Sequence, residues 1–170
     1  EITLKDQHSW TEKYYEKIKI LNYSGKKEYS EIKIPYNPTW ESVTINKATV
    51  VGKNGRKQEI SKDEINLMDA SWTGSAPRYP AEKILVLNLP GVEIGSIVEI
   101  QTMYQTKNKT FFSHSASFRK DNPIEKISYK ISVPKNIILK IIRQNLDNIE
   151  EKKIETSNYM TYEWNAKNQK

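Results

Sequence analysis

Apolar and polar residues alternate one for one along most of this chain. Ile18 and Ile20 alternate with Lys17 and Lys19, and Ile32 and Ile34 with Glu31 and Lys33. Val98, Ile100, Thr102 and Tyr104 line one side of a later stretch. Ile127, Tyr129, Ile131 and Val133 line another, with Ser128, Lys130 and Ser132 opposite. Ile137, Leu139 and Ile141 follow, then Met160, Tyr162 and Trp164. A strand sends successive side chains to opposite faces, so each stretch predicts a strand with one buried and one wet side. Helical spacing is nearly absent.

The punctuation between these stretches agrees. Asn54–Gly55, set between Val50–Val51 and Ile60, predicts a hairpin with positive φ at both central residues. Ser24–Gly25 reads as the break between the first two strands, and Pro90–Gly91 and Ile94–Gly95 bracket a loop before Val98. Asn122–Pro123 precedes the strand at Ile127, Pro134 ends it, and Thr156–Ser157–Asn158 reads as the last hairpin. The spacing predicts an all-β fold, a two-sheet antiparallel β-sandwich of about 10–12 strands with at most one short helix. Residues 1–170 read as a single β-sandwich domain. Ser61–Asp69 is the helix candidate, with Ser61 as N-cap and Glu64 at N3, a loop or short strand being the other readings. Ala70–Ala81, which carries Gly, Ser and two prolines, reads as a long surface loop.

Composition narrows the function classes. The net charge is +6, but the lysines alternate with Ile, Tyr and Val, which puts them on solvent faces of strands. No block of five like charges exists, so nucleic acid is not an expected partner. With no cysteine, the chain has no disulfide, no thiolate zinc site and no cysteine nucleophile. Its longest apolar stretch is too short to span a bilayer. The abrupt ends at Glu1 and at Gln169–Lys170 read as cuts in a longer chain, so an export signal upstream of Glu1 would not be visible in this sequence.

Catalytic chemistry is hard to find. The two histidines are His8 and His114, and His114 lies between Ser113 and Ser115 in a strand-like segment from Phe111 to Phe118. Neighbours on a strand face opposite ways, so Ser113 and His114 are not expected to share a proton. Carboxylate pairs such as Glu150–Glu151 and Asp63–Glu64 show no sign of converging. No phosphate loop, dinucleotide fingerprint or nucleophile elbow is present. The expectation is no catalytic residue, no metal site and no cofactor. The loop aromatics are the more promising feature. Tyr36, Trp40, Trp72 and Tyr79, with Arg78 beside Tyr79, fall in or beside Pro-containing segments outside the alternating strands. Rings on loops can dock a neighbouring domain or stack on a sugar or peptide. The same rings could instead cap the ends of the core, and both readings stay open.

Taken in order, several segments carry a family resemblance. They are Ile18–Lys19–Ile20–Leu21–Asn22 with Gly25, then Tyr29–Ser30–Glu31–Ile32 and Ile34–Pro35–Tyr36–Asn37–Pro38. Ala48–Thr49–Val50–Val51 with Asn54–Gly55–Arg56 comes next, then Ala70, Ser75–Ala76–Pro77 and Tyr79. Leu89–Pro90–Gly91–Val92–Glu93–Ile94–Gly95–Ser96–Ile97–Val98–Glu99 is the most specific. Pro123–Ile124–Glu125–Lys126, Val133–Pro134 and Tyr162–Glu163–Trp164 complete the series. In this order the chain resembles the bacterial domain of unknown function that precedes transglutaminase-like domains. The resemblance implies a β-sandwich in an exported, periplasmic or extracellular, protein. It also implies a following transglutaminase-like domain, with a Cys–His–Asp triad, as partner in the same polypeptide. This chain would then be a non-catalytic accessory domain that packs against or positions the catalytic domain. The alternative is a glycan- or peptide-binding module that uses the loop aromatics.

Overall fold

The alternating stretches become strands, and the described residues hold eleven of them in two sheets. The computed structural model describes residues 1–75 and 82–169. In chain order the strands are β1 (Ile2–Leu4), β2 (Trp10–Lys19), β3 (Glu31–Tyr36), β4 (Glu41–Val51), β5 (Lys57–Glu59) and β6 (Ile65–Asp69). Then come β7 (Lys83–Asn88), β8 (Ile97–Thr106), β9 (Ile124–Pro134), β10 (Glu150–Glu155) and β11 (Tyr159–Gln169). The expected mostly-β, two-sheet architecture is therefore present. The chain divides into two compact units, Glu1–Glu12 with Thr106–Lys170, and Lys13–Gln105.

The unit Lys13–Gln105 is a sandwich in its own right. One layer runs β2-β8-β4-β5 and the other β3-β7-β6. Ile34 and Leu87 from one layer meet Val50, Val98 and Ile100 from the other in a shared core, closed by Ile20, Leu89 and Val92. The alternation read from the sequence explains this, because each strand buries every second residue. On the outer face of β8, Glu99 gathers Lys47, within hydrogen-bond reach, and Lys17 at 3.6 Å. The hydrogen bond from Lys47 holds the Glu99 carboxyl below its ordinary value of 4.5. A depressed carboxyl stabilises the fold above its unfolded-state pKa and loses that contribution as pH falls through the lower folded value. Melting temperature should therefore decline as pH drops below 4.5, and Glu99→Gln should flatten that decline. Thermal melts of both forms across this range check it.

The helix is not where the sequence suggested. Tyr23–Tyr29 forms the α-helix α1, and Asn22 caps it by accepting the Gly25 N–H at 2.8 Å. Lys26 and Lys27 sit in its last turn, where the helix dipole favours positive charge. Gly25 was read as a chain break, but an N-cap three residues earlier outweighs one glycine in so short a helix. Ser61–Asp69 is instead a single 3-10 turn at Lys62–Glu64 that runs into β6. The Glu64 carboxylate does accept the Ser61 N–H, at 2.6 Å, but Ile65–Asp69 pairs with β7 and the helix goes no further. The β4–β5 connection also differs in detail. Gly55 has φ of 78°, while Asn54 is not among the positive-φ residues. The strands end at Val51 and Lys57, and the wider loop closes through Gly52 N–H to Arg56 O and Gly55 N–H to Gly52 O.

The other unit is a sheet with one face covered by irregular chain. Its strand order is β10-β11-β9-β1 and the start of β2. One pair departs from the antiparallel expectation: β1 runs parallel to β9, with Ile2 beside Ile131. Parallel partners need a long connection, and strands so far apart in the chain have one. Ile2, Leu4, Trp10, Ile131, Val133, Trp164 and Ala166 form the core with Phe118. Two segments expected as strands are not strands. Around Phe111–Phe118 the chain is irregular, yet Phe112 and Phe118 pack on the core while Phe111 is exposed. Ile137, Leu139 and Ile141 pack there too, with Ile138 and Ile142 exposed. Their alternation reports an extended chain with two faces; it does not supply a hydrogen-bonding neighbour. All six glycines lie in Lys13–Gln105. In the first unit the left-handed positions are asparagines instead, Asn108, Asn145 and Asn148 in the connections and Asn168 within β11.

Candidate functional site

Three of the five residues singled out from sequence lie at one end of the three-stranded layer. Tyr36 closes β3, and the chain then turns at 37–40, where Asn37 O accepts the Trp40 and Glu41 N–H groups. Trp72 follows β6, in a turn where its carbonyl accepts from the Ser75 N–H and hydroxyl. The register aligns Tyr36 with Lys83 and Lys83 with Asp69, so both turns leave the layer at the same end. Lys83 Nζ lies 2.5 Å from Asp69 Oδ1 along that row. Trp72 is 37% exposed, while Tyr36 and Trp40 are half-buried. Arg78 and Tyr79 lie outside the described residues. Nearby, Tyr104 stacks edge-on against Tyr14 and reaches the Pro35 carbonyl at 3.4 Å.

A second cluster was missed in the sequence. His114 has its ring turned inward, 19% exposed, facing the sheet of the first unit. Its Nδ1 is 2.7 Å from Tyr129 Oη, and its Nε2 is 3.6 Å from Glu12 Oε2. Glu12 also accepts the Trp10 indole N–H at 2.7 Å. The Tyr129 ring stacks on His114 and lies 5.7 Å from Trp164. Burial, and then the charge of Glu12, push the Tyr129 phenol well above its ordinary value. It stays protonated at any physiological pH, so its hydroxyl remains available to one ring nitrogen of His114 while the other faces Glu12. Both ring nitrogens are thus engaged. No strand forms around Ser113 and His114, so the alternation expected there does not separate them; the His114 ring instead faces Tyr129 and Glu12. The signal that could have found the cluster was Tyr129, an aromatic with a hydroxyl on a buried strand face, which needs a partner.

The same face carries a parallel arrangement. Arg143 forks onto Glu151, with Nε 2.8 Å from Oε2 and Nη2 2.5 Å from Oε1. That guanidinium, and after it the Trp164 indole N–H, hold the Glu151 carboxyl low. Lys5, Asp6, Gln7, His8, Asn136 and Ile137 line a hollow of about 270 Å³ in the same unit. His8 Nδ1 lies 2.8 Å from the Lys109 carbonyl. Among the described residues no group of three or more His, Asp or Glu is placed to hold a metal ion. No described helix is long and apolar enough to cross a membrane.

Residues 6–170 match DUF3857, a domain of unknown function with a solved structure. The chain belongs to this family. The fold of this DUF3857 domain is similar to part of the crystal structure of "a putative protease" from Parabacteroides distasonis ATCC 8503. The TM-score is 0.84 over 98% of this chain, at 16% sequence identity. At that identity the likeness carries the fold alone. The DUF3857 chain spans 34% of that protein's length. No curated protein matches the sequence.

Proposed function

We propose that this DUF3857 domain is a non-catalytic accessory domain of an exported transglutaminase-like protein. It packs against or positions the catalytic domain and helps present that domain's substrate. The observation that carries this reading is the fold match, which uses nearly all of this chain and only a third of a longer protein bearing a protease name. The absence of cysteine from this chain supports it, since a papain-like triad needs a thiolate. The test compares this chain with the longer natural protein by thermal melting and limited proteolysis. An accessory domain gains stability and protection in the longer protein and shows no peptide hydrolysis or cross-linking alone. Activity of the chain by itself overturns the proposal. Fractionation of cells making the full-length protein tests the periplasmic or extracellular location.

One observation favours a second reading, a glycan- or peptide-binding module. Tyr36, Trp40 and Trp72 share one end of the three-stranded layer, and Trp72 is partly open to solvent. On this reading Trp72→Ala weakens binding to one member of a glycan and peptide panel. Stability should change by less than about 1 kcal/mol, as for surface positions. A larger loss of stability would make Trp72 a structural residue and remove the platform.

A further inference from the structure

We propose that the hollow at the ends of β1 and β9 is a binding site for a sugar ring, a ligand rich in neutral hydroxyl groups. The site stands apart from both readings above, since it lies in the first unit and shares no residue with the loop aromatics. Topology makes it. β1 and β9 run parallel, with Thr3 beside Ser132, so their C-terminal ends lie at the same end of the sheet. From there the chain leaves in opposite directions. After Leu4 it turns through 5–9 into β2 on one side, and after Pro134 it runs through 135–149 to β10 and β11 on the other. Parallel neighbours whose connections part in this way leave a crevice between them, the place where open α/β sheets hold their ligands. Here the crevice is the hollow of about 270 Å³, walled by Lys5, Asp6, Gln7 and His8 from one connection and by Asn136 and Ile137 from the other.

The walls are held by backbone. Ser9 O accepts the Lys5 and Asp6 N–H groups, and the Ile137 N–H reaches Pro134 O. Asp6 Oδ1 accepts the His8 N–H at 2.7 Å. His8 Nδ1 lies 2.8 Å from the Lys109 carbonyl, and the Lys109 N–H returns to the His8 carbonyl. A carbonyl oxygen only accepts, so Nδ1 carries the ring proton and neutral His8 keeps a bare lone pair on Nε2. Among the described residues Nε2 has no hydrogen-bond partner, nor have the second Asp6 oxygen or the side chains of Lys5, Gln7 and Asn136. The balance of donors and acceptors selects the ligand. Nε2 and the second Asp6 oxygen accept, the Lys5 ammonium donates, and the amides of Gln7 and Asn136 do both. An oxyanion only accepts and would meet the Asp6 carboxylate. A cation would meet Lys5, and an apolar ligand finds little besides Ile137. A hydroxyl donates and accepts at once, so a ring of hydroxyls serves every group in the hollow.

The test is saturation-transfer NMR with the intact chain and the methyl glycosides of glucose, galactose, mannose and N-acetylglucosamine. At least one is expected to bind, in the millimolar range that suits a small open site. His8→Asn is the telling variant, because the asparagine amide still donates to Lys109 O as Nδ1 does while nothing replaces Nε2. It should weaken binding about tenfold and leave the melting temperature in place. Asn136→Ala removes a side chain with no partner among the described residues and should weaken binding about threefold. That variant decides the matter if His8→Asn fails to fold. Binding by none of the four glycosides overturns the proposal, as does binding unmoved by both variants. Binding lost in Trp72→Ala and kept in His8→Asn overturns it in favour of the loop aromatics. Displacement of the sugar by inorganic phosphate overturns it in favour of an anion site.

Discussion

Trp164→Ala lowers the unfolding free energy by about 4 kcal/mol, the range of a large aromatic deleted from a core. Trp164 is 5% exposed, in register with Tyr129 on β9 and Glu151 on β10. Its ring lies 5.7 Å from Tyr129 and 6.1 Å from Tyr162, so the deletion leaves a void lined by aromatic rings. It also takes the indole N–H from the Glu151 carboxylate, which Arg143 still holds. Two losses are combined, and Trp164→Phe separates them. Phenylalanine keeps most of the packing and gives up the hydrogen bond, so it should cost about 1–2 kcal/mol. Urea denaturation of the three proteins measures the difference. A cost for alanine no greater than for phenylalanine would mean that the cavity closes by collapse, which irregular covering segments make conceivable and strands do not.

Leu87→Ala is the second large effect, with an expected loss of about 3 kcal/mol. Leu87 is 0% exposed, on the middle strand of the three-stranded layer, opposite Ile32 on β3 and Ile65 on β6. Strands flank it on both sides, and the four-stranded layer supplies Val50, Val98 and Ile100 to the same core. No neighbour can swing in without breaking a ladder, so the cavity persists and adds its cost to the lost transfer free energy. Leu87→Met, which conserves volume, should cost less than about 1.5 kcal/mol. Equilibrium urea unfolding checks both. Near-equal losses for the two substitutions would show that shape complementarity, rather than filled volume, dominates this core.

Much of the fold was legible because a strand's signature is local. Ile127, Tyr129, Ile131 and Val133 do share a face, and Asn54–Gly55 and Thr156–Ser157–Asn158 do sit between paired strands. What alternation leaves open is whether an extended segment finds a ladder. Ile137–Ile141 has the right period and no strand neighbour, because hydrogen-bond partners are set by tertiary placement. The seven residues of α1 were hidden for a related reason. A helix that buries no residue leaves no periodic trace, and its cap residue, Asn22, reads equally well as a turn. At the candidate sites, sequence identified residue types and missed assembly. Trp72 and Tyr36 were found as loop aromatics, but their common end comes from the register of β6, β7 and β3. Glu12, His114 and Tyr129 are far apart in the chain, and nothing local foretells their meeting. The place of β6 at the end of its sheet was invisible while its residues read as a possible helix.

The first unit's lack of glycine has a bearing on how this sequence can drift. Its left-handed positions Asn108, Asn145, Asn148 and Asn168 rest on a side chain that tolerates the conformation, where glycine would accept it without steric strain. Glycine brings more freedom to the unfolded chain, so asparagine gives a tighter denatured ensemble at the same turns. The price falls on substitution tolerance. A β-branched residue at any of the four would meet a forbidden backbone, and acceptable replacements shrink to glycine and aspartate. Related sequences in which Asn108, Asn145 and Asn148 vary together with the lengths of their loops would mark lineages that rebuilt the covering segments while keeping the sheet beneath.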